Sequence, residues 1–229
     1  MNSSPPNRIF TIGDIHGCDV ALETLLNKIG LGSEDTLIVL GDIVDRGPGT
    51  KRCIELLIAL KQRCNLIVIQ GNHEEMLLKA YDTGEWLEEW LHYGGTQVLD
   101  SYDIDDVKEI PEEHIEFLRD TIDYHETDSD IFVHANLEPK VELADQSIQW
   151  LRWERLTGHE VQLPSGKRII CGHTSIKSGI PAVMDGWVCI DTCCYGGKYL
   201  TCLNVKTDEL YQARQTGGFR DGLFLKDFE

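Results

Sequence analysis

A chain of 229 residues with 41% apolar and 26% charged side chains can bury a full core, which excludes a disordered tail or a disulfide-stapled miniprotein. Formal charge is −18, and between Tyr81 and Asp130 seventeen Asp and Glu face only Lys108 and Arg119. That balance argues against polymeric DNA or RNA, which need a basic track. The start MNSSPPNRIFTIGDIHG lacks the basic flank and apolar run of a signal peptide, and no stretch is apolar for long enough to span a bilayer, so no membrane partner and a cytoplasmic location are expected. In such a chain the eight cysteines are expected to stay reduced. Cys171, Cys189 and Cys202 lie in apolar runs and read as core, whereas Cys18 falls at a helix start where a thiolate would be stabilised and a redox role is the minor reading.

In chain order, RIFTIG reads as a strand and DVALETLLNKIG as a helix, with Val20, Leu22, Leu25, Leu26 and Ile29 largely on one face, Asp19 as cap and Gly30 as stop. TLIVLG with TKRCIELLIALKQRC, and NLIVIQG with EEMLLKAYDTG, repeat the scheme, so three strand-helix units predict a parallel sheet with right-handed crossovers. After Gly84 the amphipathic stretches EWLEEWLHYGG and PEEHIEFLRDTI predict a helical cap over about residues 82–128, its acidic side chains forming a solvated face. From Asp130 the strand signals DIFVHA, KRIICGH and GWVCIDT return, followed by a hairpin in LTCLNVKTDELYQAR. This half is expected to be largely antiparallel or mixed. The predicted fold is α/β, two facing mixed sheets flanked by helices with a helical cap, as one domain over residues 1–229.

The chemistry lies where the strands end. Asp14 and His16 follow RIFTIG, Asp42 follows TLIVLG, Asn72 and His73 follow NLIVIQG, His134 closes DIFVH and His173 follows KRIICG. A single Asp or His at such a point is usually a turn former, but five strands ending in metal-ligand residues converge beyond the carboxyl edge of an α/β sheet. His92, His114, His125 and His159 lack this placement and read as surface or cap residues. Glycines flank each ligand motif, GDIHG, GDIVDRG and GNHE, and let the backbone approach a small charged object. An Asp and a His two residues apart can hold one ion, and a carboxylate such as Asp42 can give one oxygen to each of two. Histidine with carboxylate and amide oxygens suits manganese first, with iron or zinc as alternatives, better than magnesium or calcium.

The motifs GDIHG, GDIVDRG, GNHE, VHA and GHT, in this order from about Arg8 to Cys202, resemble the PPP family of metallophosphatases within the calcineurin-like superfamily, and especially its compact bacterial and bacteriophage members. The resemblance implies Asp14, His16 and Asp42 on one metal ion, and Asp42, Asn72, His134 and His173 on a second, with Asp42 as bridge. It implies Arg46, Arg152 and Asn72 as groups that hold the phosphate, and His73 with Asp45 as a general acid and its carboxylate partner. Two such ions would lower the pKa of a shared water, giving a hydroxide that attacks phosphorus directly, and would clamp the phosphoryl oxygens. The activity implied is that of a protein phosphatase on phosphoserine and phosphothreonine, with phosphotyrosine and small phosphomonoesters as further substrates. Its partner is then a phosphorylated protein or peptide, and a monomer suffices for it. The alternative is a dinucleoside polyphosphate hydrolase similar to symmetrical diadenosine tetraphosphatase, which shares the metal motifs; a non-catalytic scaffold is disfavoured because none of the six ligands is missing. Where bacterial members commonly have His-Ala-Gly, this chain has Asn136, which tolerates left-handed backbone angles and can preserve the turn.

Overall fold

The computed structural model describes residues 7–228. Among these residues eleven strands form two sheets, of order β11-β10-β9-β1-β2-β3 and β4-β5-β6-β8-β7. In the first, β1 (Ile9–Ile12), β2 (Thr36–Val39) and β3 (Asn65–Val68) run parallel, while β9 (Leu200–Asn204), β10 (Glu209–Ala213) and β11 (Phe219–Phe224) add an antiparallel wing beside β1. In the second, β5 (Asp130–Val133), β6 (Arg168–Cys171) and β8 (Trp187–Cys189) are parallel, and the short β4 (Tyr124–Glu126) and β7 (Ala182–Met184) close the edges antiparallel. The three central strands of the second half are thus parallel and its other strands antiparallel, the mixed one of the two arrangements expected. The apolar runs of the central strands are buried on both faces, which a parallel arrangement covered by other layers requires.

Side chains alternate between two cores with the strand period of two. Ile38, Leu40, Phe132, Ile170, Val188, Ile190, Leu203 and Leu210 meet between the sheets. Their neighbours Leu37 and Val39 turn outward onto the first-half helices, and Ile131, Val133, Ile169, Cys171, Trp187 and Cys189 turn outward on the other side. A one-residue slip in any of these strands would exchange the two faces, so the pattern fixes the register.

Helices α1 (Asp19–Ile29), α2 (Thr50–Leu60) and α3 (Asn72–Thr83) follow β1, β2 and β3, as the strand-helix units predict. Gly30 ends α1 in the left-handed region with its N–H on Leu26 O. Asp19 is not the cap, however: it is the first helical residue, and the side-chain oxygen of Gln215 accepts from the N–H groups of Val20 and Ala21 while its amide donates to Asp19. A partner so distant in sequence leaves no local signal.

The acidic segment forms α4 (Leu87–Trp90), a π-turn at Leu91–Gly95, α5 (Thr96–Tyr102) and α6 (Glu112–Arg119), with its carboxylates largely on the outside. Gly94 at φ 122° takes the bend within that turn, and a Cβ there would meet Arg46 N at 2.6 Å. The last α-helix among the described residues, α7 (Ile148–Arg152), lies between β5 and β6 in the chain. All eight cysteines are free buried thiols. The thiol of Cys18 is raised by contact with Cys194 and by burial, which removes the stabilised thiolate considered for it. No helix among the described residues is long and apolar enough to cross a membrane.

Candidate functional site

The parallel strands of both sheets end at one place, and the loops that leave them are wound in a way their residue types do not favour. His16, Asp42, Asp45, Arg46 and His173 all have positive φ, between 45° and 70°. For non-glycine residues this conformation is uncommon and costs about 1 kcal/mol or more each, so the surroundings must impose it. Asn136, by contrast, is not among the positive-φ residues. Its amide instead donates to Arg155 O at 3.2 Å and its oxygen accepts from Leu137 N at 2.8 Å, so a side-chain clamp replaces the left-handed turn expected there.

Much of the imposing is done by Glu74. Its buried carboxylate accepts from the backbone N–H groups of Asp42 (2.8 Å), Ile43 (2.7 Å), Val44 (3.2 Å) and Gly71 (2.9 Å), which fixes the GDIVDRG loop against the start of α3. Burial and the nearby Asp42 push its pKa up to about 7 against the pull of those donors. Removing the acceptor strands four backbone donors in the interior, and Glu74→Ala is expected to cost about 3 kcal/mol or more in urea denaturation. A loss below about 1 kcal/mol would mean that the loop keeps its shape without the carboxylate.

The ring nitrogens are sorted by the same logic. His16 Nδ1 donates to Val44 O (2.8 Å), His134 Nδ1 to Leu40 O (2.7 Å) and His173 Nε2 to Trp153 O (3.0 Å). A carbonyl only accepts, so each ring carries its proton outward and turns a bare lone pair inward. Burial pushes all three below the ordinary histidine range, His173 to about 3, so they are neutral at physiological pH. His134 Nε2 lies 3.2 Å from both His173 Nδ1 and Asn72 Oδ1 and 3.4 Å from Asp42 Oδ1. Four lone-pair atoms face one another with no proton among them, which only a cation can reconcile. On the other side, His16 Nε2 is 3.4 Å from Asp42 Oδ2. Asp42 therefore turns one oxygen to each group, and His16 with Asp42 and His73, and Asp42 with His134 and His173, each form a cluster able to hold an ion. These clusters fit two metal ions, although the first has His73 where the motifs imply Asp14.

Asp14 stands apart from both clusters. It is buried, accepts from His173 N at 3.1 Å and sits beside Gly172, where a Cβ would strike its carboxylate. Burial, Asp191 and Asp42 push it well above the usual carboxylate range, the signature of acidic groups gathered without a countercharge. Asp191, buried just beyond β8, completes this group. Its position repeats the strand-end rule, since Asp191 follows the apolar run of GWVCIDT as Asp42 follows TLIVLG.

His73 serves differently from the other histidines. Its Nδ1 meets Asp45 Oδ2 at 2.5 Å, and Asp45 Oδ1 accepts from Trp90 Nε1 at 2.9 Å. Burial disfavours its charged form, but Asp42 and Asp45 outweigh that and raise it above the ordinary value. Its Nε2 is 3.9 Å from Asp42 Oδ2, so the free end points at the centre.

Asp42, Asn72, His73 and His173 open into a cavity of about 410 Å³, also bordered by Arg46, Tyr93, Trp153, Arg155, Lys177 and Tyr195. Arg46 donates to His16 Nε2 at 2.9 Å and lies 4.6 Å from the Tyr195 ring centre. Arg152 does not border the cavity: its guanidinium is held by Glu75 at 3.4 Å and Asp123 at 2.5 Å. Arg155, past the end of α7, reaches the cavity instead.

A family model, calcineurin-like phosphoesterase, matches residues 7–177. The symmetrical bis(5'-nucleosyl)-tetraphosphatase of Burkholderia pseudomallei (strain 668) is 31% identical over 158 residues, 66% of this chain and 51% of that protein. Serine/threonine-protein phosphatase 2 of Escherichia coli (strain K12) is 35% identical over 104 residues, 45% of each chain. The matched stretches thus span about half the length of these relatives. The crystal structure of a cold-active protein-tyrosine phosphatase from a psychrophile Shewanella sp. shares the fold at a TM-score of 0.65 and 17% identity, covering 95% of this chain and 80% of that one. With two clusters able to hold an ion at the strand ends and a family match over three quarters of its length, the chain belongs to the calcineurin-like phosphoesterase family.

Proposed function

We propose that the enzyme is a phosphoprotein phosphatase acting on phosphoserine and phosphothreonine, and that phosphotyrosine and small phosphomonoesters are further substrates. One observation carries the reading: the chain Trp90, Asp45, His73 holds a buried imidazole with its Nε2 edge toward the cavity beside Asp42, where it can donate a proton. A serine alkoxide is a strongly basic leaving group and must be protonated as it departs, whereas a nucleotide phosphate leaves readily without a proton. A buried acid held in place by two further residues is therefore of most use against an alkyl phosphomonoester.

When bound, the two metal ions, manganese in this proposal with iron or zinc as alternatives, supply an activated water and neutralise charge on the phosphoryl group. In this proposal His16 and Asp42 would hold one, with Asp14 as the further ligand that the motifs imply although it stands apart from both clusters, and Asp42, Asn72, His134 and His173 would hold the other. Arg46 and Arg155 grip the non-bridging oxygens with planar forks, Arg155 taking the part expected of Arg152, and the Asn72 amide donates to the same group. The rim adds selectivity. Trp86, packed edge-on against Trp153 at 5.6 Å, carries the exposed Glu85, Glu88 and Glu89 to the side of the cavity, where they favour basic peptides over polyanions. The buried free thiols suit a cytoplasmic protein, and a single domain acting as a monomer is part of the same reading.

A second reading, hydrolysis of dinucleoside polyphosphates, is favoured by the tetraphosphatase relative, which matches 66% of this chain. The two separate in one assay. The manganese-loaded protein is expected to give a higher kcat/KM on a lysine-containing phosphoserine peptide than on diadenosine tetraphosphate, and the reverse order would replace the first reading by the second.

A further inference from the structure

The second ion cluster is shared between the two sheets. Asn72 opens α3, which follows β3 of the first sheet, whereas His134 and His173 follow β5 and β6 of the second. Ligands carried on separate layers keep their spacing only if something fixes one layer against the other. For the His134 ring that tie is direct, through its Nδ1 donor to Leu40 O at 2.7 Å, just past β2 of the first sheet. The His173 ring donates from Nε2 to Trp153 O at 3.0 Å, and Trp153 lies just past α7.

The tie from Trp153 back to the first sheet is made by Glu75. It stands in α3 three residues after Asn72, and its Oε2 accepts from Trp153 Nε1 at 3.0 Å and from Arg152 Nη1 at 3.4 Å. Its Oε1 pairs with Lys79 Nζ at 3.0 Å. The Glu75 side chain is only 13% exposed, so water competes little for the indole N–H. Another edge of the Trp153 ring packs against Trp86 of the acidic segment, with ring centres 5.6 Å apart. An indole fixed at its N–H and along an edge leaves little freedom to the backbone that carries it, and that backbone supplies the carbonyl that orients His173.

We infer that Glu75 is a positioning residue for the second ion: through the Trp153 indole it fixes the carbonyl that orients His173, and so sets that ligand against Asn72. Partners one bond removed from a metal ligand typically govern about 10- to 100-fold in affinity. This role goes beyond the phosphoprotein-phosphatase reading, since it holds whichever phosphoester is cleaved.

Because both cross-layer donors converge on Oε2, one substitution separates the indole bond from the charge. Gln places a single oxygen there and turns its amide toward Lys79, whose side chain is 40% exposed and can swing into water. Trp153→Phe removes the N–H but keeps a ring against Trp86, and leaves the carboxylate paired with Arg152 and Lys79.

The full-length manganese-loaded protein is equilibrated at a graded series of free manganese concentrations, and bound metal is counted by mass spectrometry of the digested protein. Far-UV circular dichroism, recorded alongside, reports that each variant stays folded. Glu75→Ala and Trp153→Phe are each expected to weaken one of the two binding steps by about 10- to 100-fold and to leave the other within about threefold. The double variant should bind no more weakly than the more affected single one, because both changes remove the same bond. Glu75→Gln should stay within about threefold of the parent in both steps. If Glu75→Ala does not fold, Trp153→Phe and Glu75→Gln decide alone. Parent-like affinity in Trp153→Phe, or equal losses in both steps, overturns the positioning role. A Glu75→Gln variant as weak as Trp153→Phe also overturns it, by placing the effect in the charge of the carboxylate.

Discussion

Replacing His73 by Asn is expected to slow hydrolysis of a phosphoserine peptide by about 10²- to 10⁴-fold while p-nitrophenyl phosphate loses no more than about tenfold. The difference comes from the leaving group: nitrophenolate is weakly basic and departs without help, whereas the serine alkoxide needs the proton that His73 carries. Asn suits the experiment because its amide can still donate to the buried Asp45, which would otherwise stand as an unpaired charge beside Trp90. The metal content of this variant should match that of the parent by mass spectrometry of the digested protein. Equal losses on the two substrates would remove the acid role, because a residue that merely shapes the site does not discriminate between leaving groups.

Asp42→Asn probes the other half of the arrangement. Asp42 gives Oδ2 to the side of His16 and Oδ1 to that of His134, and Oδ1 also accepts from His73 N at 3.1 Å. An amide offers one oxygen and one NH₂ group, so one of the two histidine groups would face a donor in place of an acceptor. Metal content should fall from two ions per chain to one or fewer, and kcat/KM by on the order of 10³-fold or more on both substrates alike. A variant that keeps both ions would show that the carboxylate is not shared between them.

The strand ends, the helical cap and the clustering of His16, Asp42, Asn72, His73, His134 and His173 are legible in the sequence, because local periodicity sets the strands and an α/β sheet gathers whatever follows them. What the sequence hides is mostly long-range. β4 and β7 are three-residue edge strands, and β11 carries Arg220, Asp221 and Gly222 at φ 69°, so none shows the alternation that marks a half-buried strand. The placement of β9 beside β1 joins residues nearly two hundred positions apart. Arg152 and Arg155 look alike within QWLRWERL, and only the end of α7, with Glu75 and Asp123 waiting on one side, decides which of them borders the cavity. Glu74 stands in plain view within GNHE, but its role is not legible there because its partners are backbone N–H groups, which leave no trace in residue type.

Five site residues, three of them candidate metal ligands, take left-handed angles, and Glu74 with the cap holds the loop that carries Asp42, Asp45 and Arg46 in that form. Ions that bind only this wound form draw the loops and the ligands into a single equilibrium. Part of the affinity for metal is then spent in holding the backbone, and part of the order of the loops is owed to the metal. In such a centre the position of a substitution need not reveal whether it acts on the ions or on the chain that carries them.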